Sequence, residues 1–335
     1  MVFDRRSVLV SGLAAGLVPG QAEGMMAPLP ANPLPSASAP SLPDAAEVIP
    51  LWPSQGGAGQ LNPIEEVIVE RSRDLALKDR AMHGITVPRM AVFRPAKPNG
   101  AAVLITPGGG YIRVVIDREG YEMARLLAAR GYTCFVLFYR LPGEGWASGP
   151  DTPLIDAQRA MRLIRARATA YGVDPARVAA MGFSAGGHLC ADLSARFAAP
   201  AYAPVDAADS LSARPFCSAP IYPVMSMSLP DAHKGSREAM LGSAPTAAQE
   251  EAHSPHRVLP DNPPPHFLCH AEDDPSVPVA NTLLLRAALK AKGARVETHL
   301  FELGGHGFGL RLAQGKPVAL WPEAWLNWAH SVGLA

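Results

Sequence analysis

The chain of 335 residues predicts an α/β fold: a mostly parallel, eight-stranded sheet flanked by helices, with a small cap or none. Three observations carry that expectation. Short apolar runs of strand length alternate with longer amphipathic segments, the pattern of repeated β-α-β units. Several runs, such as residues 101–105 and 134–139, are almost continuously apolar, as strands covered on both faces must be. The motifs able to carry chemistry fall at the carboxyl ends of these runs, where open parallel sheets bind their ligands.

The N-terminus reads as a leader. Arg5 and Arg6 precede a mildly apolar stretch at residues 8–18, and small residues around Gly20 and Ala22 offer a cleavage site after Ala22. The paired arginines and the Gly/Ala-rich core are similar to a twin-arginine export signal, so residues 1–22 are expected to direct export to the periplasm or beyond. Val8 and Val10 depart from that motif, leaving ordinary secretion open. The stretch is too short to span a bilayer, and an uncleaved N-terminal anchor is the alternative. Eight prolines then fall between Met25 and Pro53, interleaved with Ala and Ser. That composition favours extended, solvated backbone, so residues 23–59 read as a linker and 60–335 as one catalytic domain. A single α/β domain of about 250 residues is an ordinary size.

Residues 63–71 and 87–93 read as opening strands, followed by the run ending at Thr106. The helix at 120–130 stops at Gly131, and the strand at 134–139 comes next. Residues 154–171 form an amphipathic helix with Asp151 and Thr152 near its start and Gly172 as its stop. A strand at 177–181 leads to a helix at 188–197, and strands at 216–221, 266–270 and 295–301 complete the set. Thirty basic and thirty acidic residues cancel and form no run of like charge, so the footprint of a nucleic-acid binder is absent. The four cysteines fall within predicted strands and a helix, and read as small buried hydrophobes rather than a disulfide framework.

Between the strand at 177–181 and the helix after it lies Gly182-Phe183-Ser184-Ala185-Gly186. A Gly-x-Ser-x-Gly in that context forces a sharp turn that lifts a serine hydroxyl clear of the sheet. Serine needs a base and an orienting acid. His306 lies among glycines after the strand at 295–301, well placed to reach across a cleft. The acid comes from the loop Glu272-Asp273-Asp274 after the strand at 266–270. Asp274 is the choice, because its spacing to Val277-Pro278 resembles the Asp-x-x-Val-Pro loop of esterases and related hydrolases of this fold, and Asp273 competes with it. The chain order serine, acid, histidine is that of α/β-hydrolases. Thr106-Pro107-Gly108-Gly109-Gly110-Tyr111 supplies backbone amides for an oxyanion, with Gly109, Gly110 and Ala185 the expected donors. No phosphate-loop spacing is present there.

Pro107-Gly108-Gly109-Gly110-Tyr111, Phe138-Tyr139-Arg140-Leu141-Pro142, Asp156-Ala157-Gln158-Arg159-Ala160, Met181 to His188, and Gly304-Gly305-His306-Gly307-Phe308-Gly309 carry a family likeness. Over roughly residues 60–330 the chain resembles the acetyl-xylan-esterase-like, or feruloyl-esterase-like, α/β-hydrolases. The resemblance implies a serine esterase with its nucleophile, acid and base at Ser184, Asp274 and His306, acting on acyl esters of polysaccharide. Neither metal nor organic cofactor is expected. A proline at position 107 replaces the histidine that many esterases carry there.

Three functions are carried forward: an exported carboxylesterase, a single-domain peptidase of the same fold, and a non-catalytic binding protein, which would require a broken triad. Tyr111, Trp146 and Met225 are candidate substrate contacts. Trp146 would be a stacking platform for a sugar or, equally, a packing anchor. The excursion at 223–265 would wall the acyl pocket or merely connect two strands. His188, one helical turn beyond Ser184, and His270, on the strand before the acid loop, read as hydrogen-bonded structural histidines.

Overall fold

The computed structural model describes residues 41–53, 59–74 and 76–335. The leader and most of the proline-rich segment lie outside the described residues. Among the described residues the strands are β1 (Val48–Pro50), β2 (Val67–Glu70), β3 (Arg80–His83), β4 (Arg89–Phe93), β5 (Ala102–Thr106), β6 (Val114–Val115), β7 (Thr133–Phe138), β8 (Val178–Phe183), β9 (Ser218–Ile221), β10 (His266–Ala271) and β11 (Val296–Phe301). The helices are α1 (Glu122–Ala129), α2 (Thr152–Ala166), α3 (Ala185–Arg196), α4 (Lys234–Leu241), α5 (Ala247–Ala252), α6 (Ala280–Ala291) and α7 (Trp321–Ser331).

Eight strands form one sheet in the order β1-β4-β7-β5-β8-β9-β10-β11. β1 and β4 run antiparallel to their neighbours, and the pairings from β7 through β11 are all parallel. This is the α/β-hydrolase architecture. The central strands β5, β7 and β8 are buried at every position, as their unbroken apolar runs require. α2 opens with Pro153 in its first turn, where a missing N–H costs nothing. α5 opens on a capping box between Thr246 and Gln249. No helix among the described residues is long and apolar enough to cross a membrane.

Two expectations need correction. The linker was expected to stay out of the fold up to residue 59, yet Val48–Pro50 is the edge strand of the main sheet. Ile49, Leu51 and Trp52 are buried, and Trp52 Nε1 donates to Asp156 at 2.9 Å. A short apolar cluster among prolines suffices for an edge strand, because an edge tolerates a residue without a ladder donor. The strand at 63–71 exists as β2, but it pairs with β3, which in turn pairs with β6, in a separate three-stranded antiparallel sheet.

Candidate active site

β8 delivers Ser184 into a turn that only a constrained backbone sustains. Its φ of +53° is left-handed, a conformation costing a non-glycine residue about 1–3 kcal/mol. The turn is pinned from both sides. The Ser184 amide donates to the Ile221 carbonyl at 3.0 Å, and its own carbonyl accepts from His188 and Val224. A Cβ on Gly182 would lie 2.1 Å from the Gly186 carbonyl oxygen, and one on Gly186 would lie 2.1 Å from that of Thr106. Both flanking glycines are therefore required by backbone approach.

Ser184 Oγ lies 2.9 Å from His306 Nε2, and His306 Nδ1 lies 2.6 Å from Asp274 Oδ2. The carboxylate only accepts, so Nδ1 bears the proton and Nε2 offers its lone pair to the serine hydroxyl. Asp274 Oδ1 accepts the amides of Ser276 and Val277 at 2.8 and 2.9 Å. His270 Nε2 donates to Asp274 Oδ2 at 3.1 Å, while its Nδ1 meets the Thr282 hydroxyl at 2.8 Å. Burial alone pushes the Asp274 carboxyl up. Hydrogen bonds from His270, His306 and Val277 outweigh that and hold it far below the usual carboxylate range. Asp273, the competing acid, points elsewhere. Its Oδ1 accepts the amides of Gly304 and Gly305 at 2.8 and 2.7 Å, tethering the loop that carries His306.

Gly109 and Gly110 line the same pocket as Ser184 and His306. The Gly108 amide is taken, donating to Glu119 Oε2 at 2.9 Å. Among the described residues the Gly109 and Gly110 amides meet no acceptor. The amide of Ala185, as first residue of α3, has none within its helix. Three free N–H groups thus stand in the strand-end loops on either side of the serine, an arrangement suited to a developing oxyanion.

The pocket encloses about 280 Å³ and is walled on one side by His233 and Gly235 from the 223–265 excursion. That excursion, which folds as α4, α5 and a short 3₁₀ turn, therefore contributes to the site. The three tentative substrate contacts do not line this pocket. Tyr111 is buried and donates its hydroxyl to His188 Nδ1 at 2.7 Å, since His188 Nε2 must carry the proton it gives to the His253 carbonyl. Trp146 is buried against Arg140, whose guanidinium lies 5.0 Å from its ring centre, so it is the packing anchor. Met225 is fully buried among Ala191, Leu268, Leu285 and Leu289. Small-to-large apolar side chains filling the gap beside α6 leave it no access to substrate.

Residues that the sequence did not single out complete the site. Glu119 is buried beside Ser184 and also accepts from the Tyr222 hydroxyl at 3.0 Å. Tyr222 follows β9 with φ +37°, packs edge-on against the His306 ring at 5.2 Å, and accepts the Gly309 amide at 3.2 Å. One tyrosine and one carboxylate so connect the histidine loop to the oxyanion loop. Tyr222 sits at a strand's carboxyl end, a signal the sequence carried; nothing in the pattern around Glu119 marked it. All four cysteines are buried and unpaired.

The BD-FAE family matches this chain over residues 90–289, more than half of its length. The chain belongs to the BD-FAE family. That match contains Ser184 and Asp274 and stops short of His306. The BD-FAE chain is 32% identical over 226 residues to an acetylxylan esterase of Xylanibacter ruminicola, covering 66% of this chain and 44% of that protein. It is 34% identical over 210 residues to endo-1,4-beta-xylanase B of Butyrivibrio fibrisolvens, covering 61% of this chain and 32% of the relative. The chain thus spans less than half the length of these curated relatives. Among solved structures, an acetyl ester-xyloside bifunctional hydrolase from Caldicellulosiruptor lactoaceticus superposes with a TM-score of 0.68. The identity is 32%, with 87% of this chain and 97% of that one covered. A carboxylesterase from Lactobacillus plantarum, at 22% identity and a TM-score of 0.59, shares the fold.

Proposed function

We propose that this chain is an exported serine esterase that removes short acyl groups, acetyl foremost, from xylan-type polysaccharide or its oligosaccharides. The observation that carries the reading is the unbroken row from Ser184 through His306 to Asp274, at 2.9 and 2.6 Å. Ser184 Oγ attacks the ester carbonyl while His306 Nε2 takes its proton, and Asp274 holds the imidazole in the required tautomer. Negative charge on the carbonyl oxygen meets the amides of Gly109, Gly110 and Ala185. His306 then returns its proton to the leaving alkoxide, giving an acyl-enzyme and a free sugar hydroxyl. Water, deprotonated by the same imidazole, releases the acid.

A pocket of about 280 Å³ sits at the small end of ligand cavities and favours a short acyl group over a bulky one. The xylan side of the reading is supported by the relatives named for acetylxylan ester and acetyl ester-xyloside hydrolysis. Export is supported by Arg5 and Arg6 ahead of a small-residue apolar stretch, and free buried cysteines are compatible with folding before transport. Purified protein is expected to release acetate from acetylated xylo-oligosaccharide faster than ferulate from a feruloyl ester, and to leave a peptide amide intact. Ser184→Ala is expected to fold and to lose about 10⁴–10⁶-fold in kcat. Undiminished turnover in that variant would end the proposal, and faster peptide cleavage would redirect it to the peptidase.

A further inference from the structure

Three arginines line the pocket that holds Ser184 and His306: Arg71, Arg113 and Arg118. They arrive from separate places, the residue after β2, the turn leading into β6, and the π-helical turn Asp117–Tyr121. Arg113 packs against the oxyanion loop, its carbonyl oxygen 2.2 Å and its Cγ 2.9 Å from where a Cβ on Gly109 would stand. The Arg118 guanidinium flanks the histidine loop, its Nη2 3.8 Å from the corresponding position on Gly307. One arginine therefore stands beside each half of the catalytic apparatus.

Counter-charge is scarce here. Asp79 pairs with Arg71 at 2.7 Å, and its other oxygen is shared at 4.0 Å with Arg118 and 3.6 Å with Arg311. Glu119, the carboxylate that lines the pocket, has its two oxygens committed to Tyr222 and Gly108. Arg113 has neither hydrogen bond nor ion pair among the described residues. Burial and the nearby charges of Arg71 and Arg118 press its pKa below the usual value, the mark of a cation held among cations. The chain as a whole is electrically neutral, so this local excess is not a reflection of overall charge. An anion entering the pocket relieves the repulsion, and guanidinium forks suit a carboxylate better than a hydroxyl.

We propose that Arg113, with Arg118 and Arg71 behind it, forms a subsite for a carboxylate carried by the ester substrate. The site then selects acidic esters over neutral ones of equal size. This deepens the esterase reading above and rests on it. The carboxylate has two possible positions, on the acid released or on the sugar that bears the acetyl group.

Two matched pairs separate these sources: 4-nitrophenyl hemisuccinate against 4-nitrophenyl butyrate, and an O-acetylated glucuronic acid against the same O-acetylated glucose. In one pair the acidic member is expected to show a kcat/KM at least about tenfold higher at low salt. That ratio is expected to shrink toward one in 0.5 M NaCl, as screening of an exposed ion contact requires. Arg113→Gln is expected to cut the ratio by about fivefold or more. Ratios near one in both pairs, or a ratio indifferent to salt and to Arg113→Gln, would overturn the subsite. A protein inert toward all four esters would count against the esterase reading instead. In that case calorimetric binding of glutarate to the natural protein, lost in Arg113→Gln, supports the subsite, and equal or absent binding in both overturns it.

Discussion

Asp273 and Asp274 are adjacent, chemically identical and assigned to opposite tasks by the direction in which the loop turns them. Asp274 accepts from the imidazole, and Asp273 from two glycine amides of the loop that carries it. Their substitutions therefore separate. Asp274→Asn is expected to cut kcat by about 10⁴-fold with the fold intact, because an amide there favours the wrong tautomer. Asp273→Ala leaves two amides without acceptors and is expected to cost about 1–3 kcal/mol of stability. Its kcat is expected to fall far less. Equal losses of kcat in the two variants would contradict this division. At this scale the catalytic residues were legible because glycine, serine and histidine in loops at strand ends have few packing reasons to be there. Glu119 was not legible, since only folding reveals that a charged residue in an ordinary turn is buried against the oxyanion loop. Trp146 and Met225 misled for the converse reason: a large apolar side chain near a site in sequence packs wherever space exists.

β9 ends against the back of the nucleophile turn, and the residue after it, Tyr222, ties the histidine loop to Glu119. Its ring backs the His306 imidazole, and its hydroxyl bridges Glu119 and the Gly309 amide. Tyr222→Phe keeps the ring and removes the bridge. It is expected to lower kcat about tenfold with little change in KM, and to cost about 1–3 kcal/mol through the unpaired Gly309 amide and Glu119 oxygen. Steady-state kinetics with urea unfolding measures both; a kcat equal to the parent's would remove Tyr222 from the positioning apparatus. The central elements were legible because β5, β7 and β8 are buried on both faces and so must be apolar throughout. β1 and β3 were not, being three and four residues long. At an edge, pairing with an existing strand outweighs the poor propensity of a segment such as Val48–Pro50.

Across the whole molecule, several histidines are locked inside the sheet-and-helix sandwich with no route to water. Burial pushes His188 and His266 down from 6.5 to about 4 each. Below about pH 6.5 the unfolded chain binds protons that the folded one refuses, so both histidines destabilise the fold progressively until about pH 4. Asp274 and the other depressed carboxylates act in the same direction at still lower pH. His253 opposes them in part, since the nearby Asp151 carboxylate and the Gln249 carbonyl outweigh the burial that would lower it. The urea midpoint is expected to be lower at pH 5 than at pH 7; a midpoint equal or higher at pH 5 would show that these rings are accessible to protons.

All of the proposed chemistry depends on one hydroxyl being made nucleophilic by its surroundings. Stoichiometric treatment with a fluorophosphonate, followed by peptide mapping, tests this directly. One phosphonyl group is expected per chain, attached to Ser184, with esterase activity lost in proportion and no label taken up by His306→Ala on the same timescale. Labelling at another residue, or full activity in a protein modified at Ser184, would contradict it.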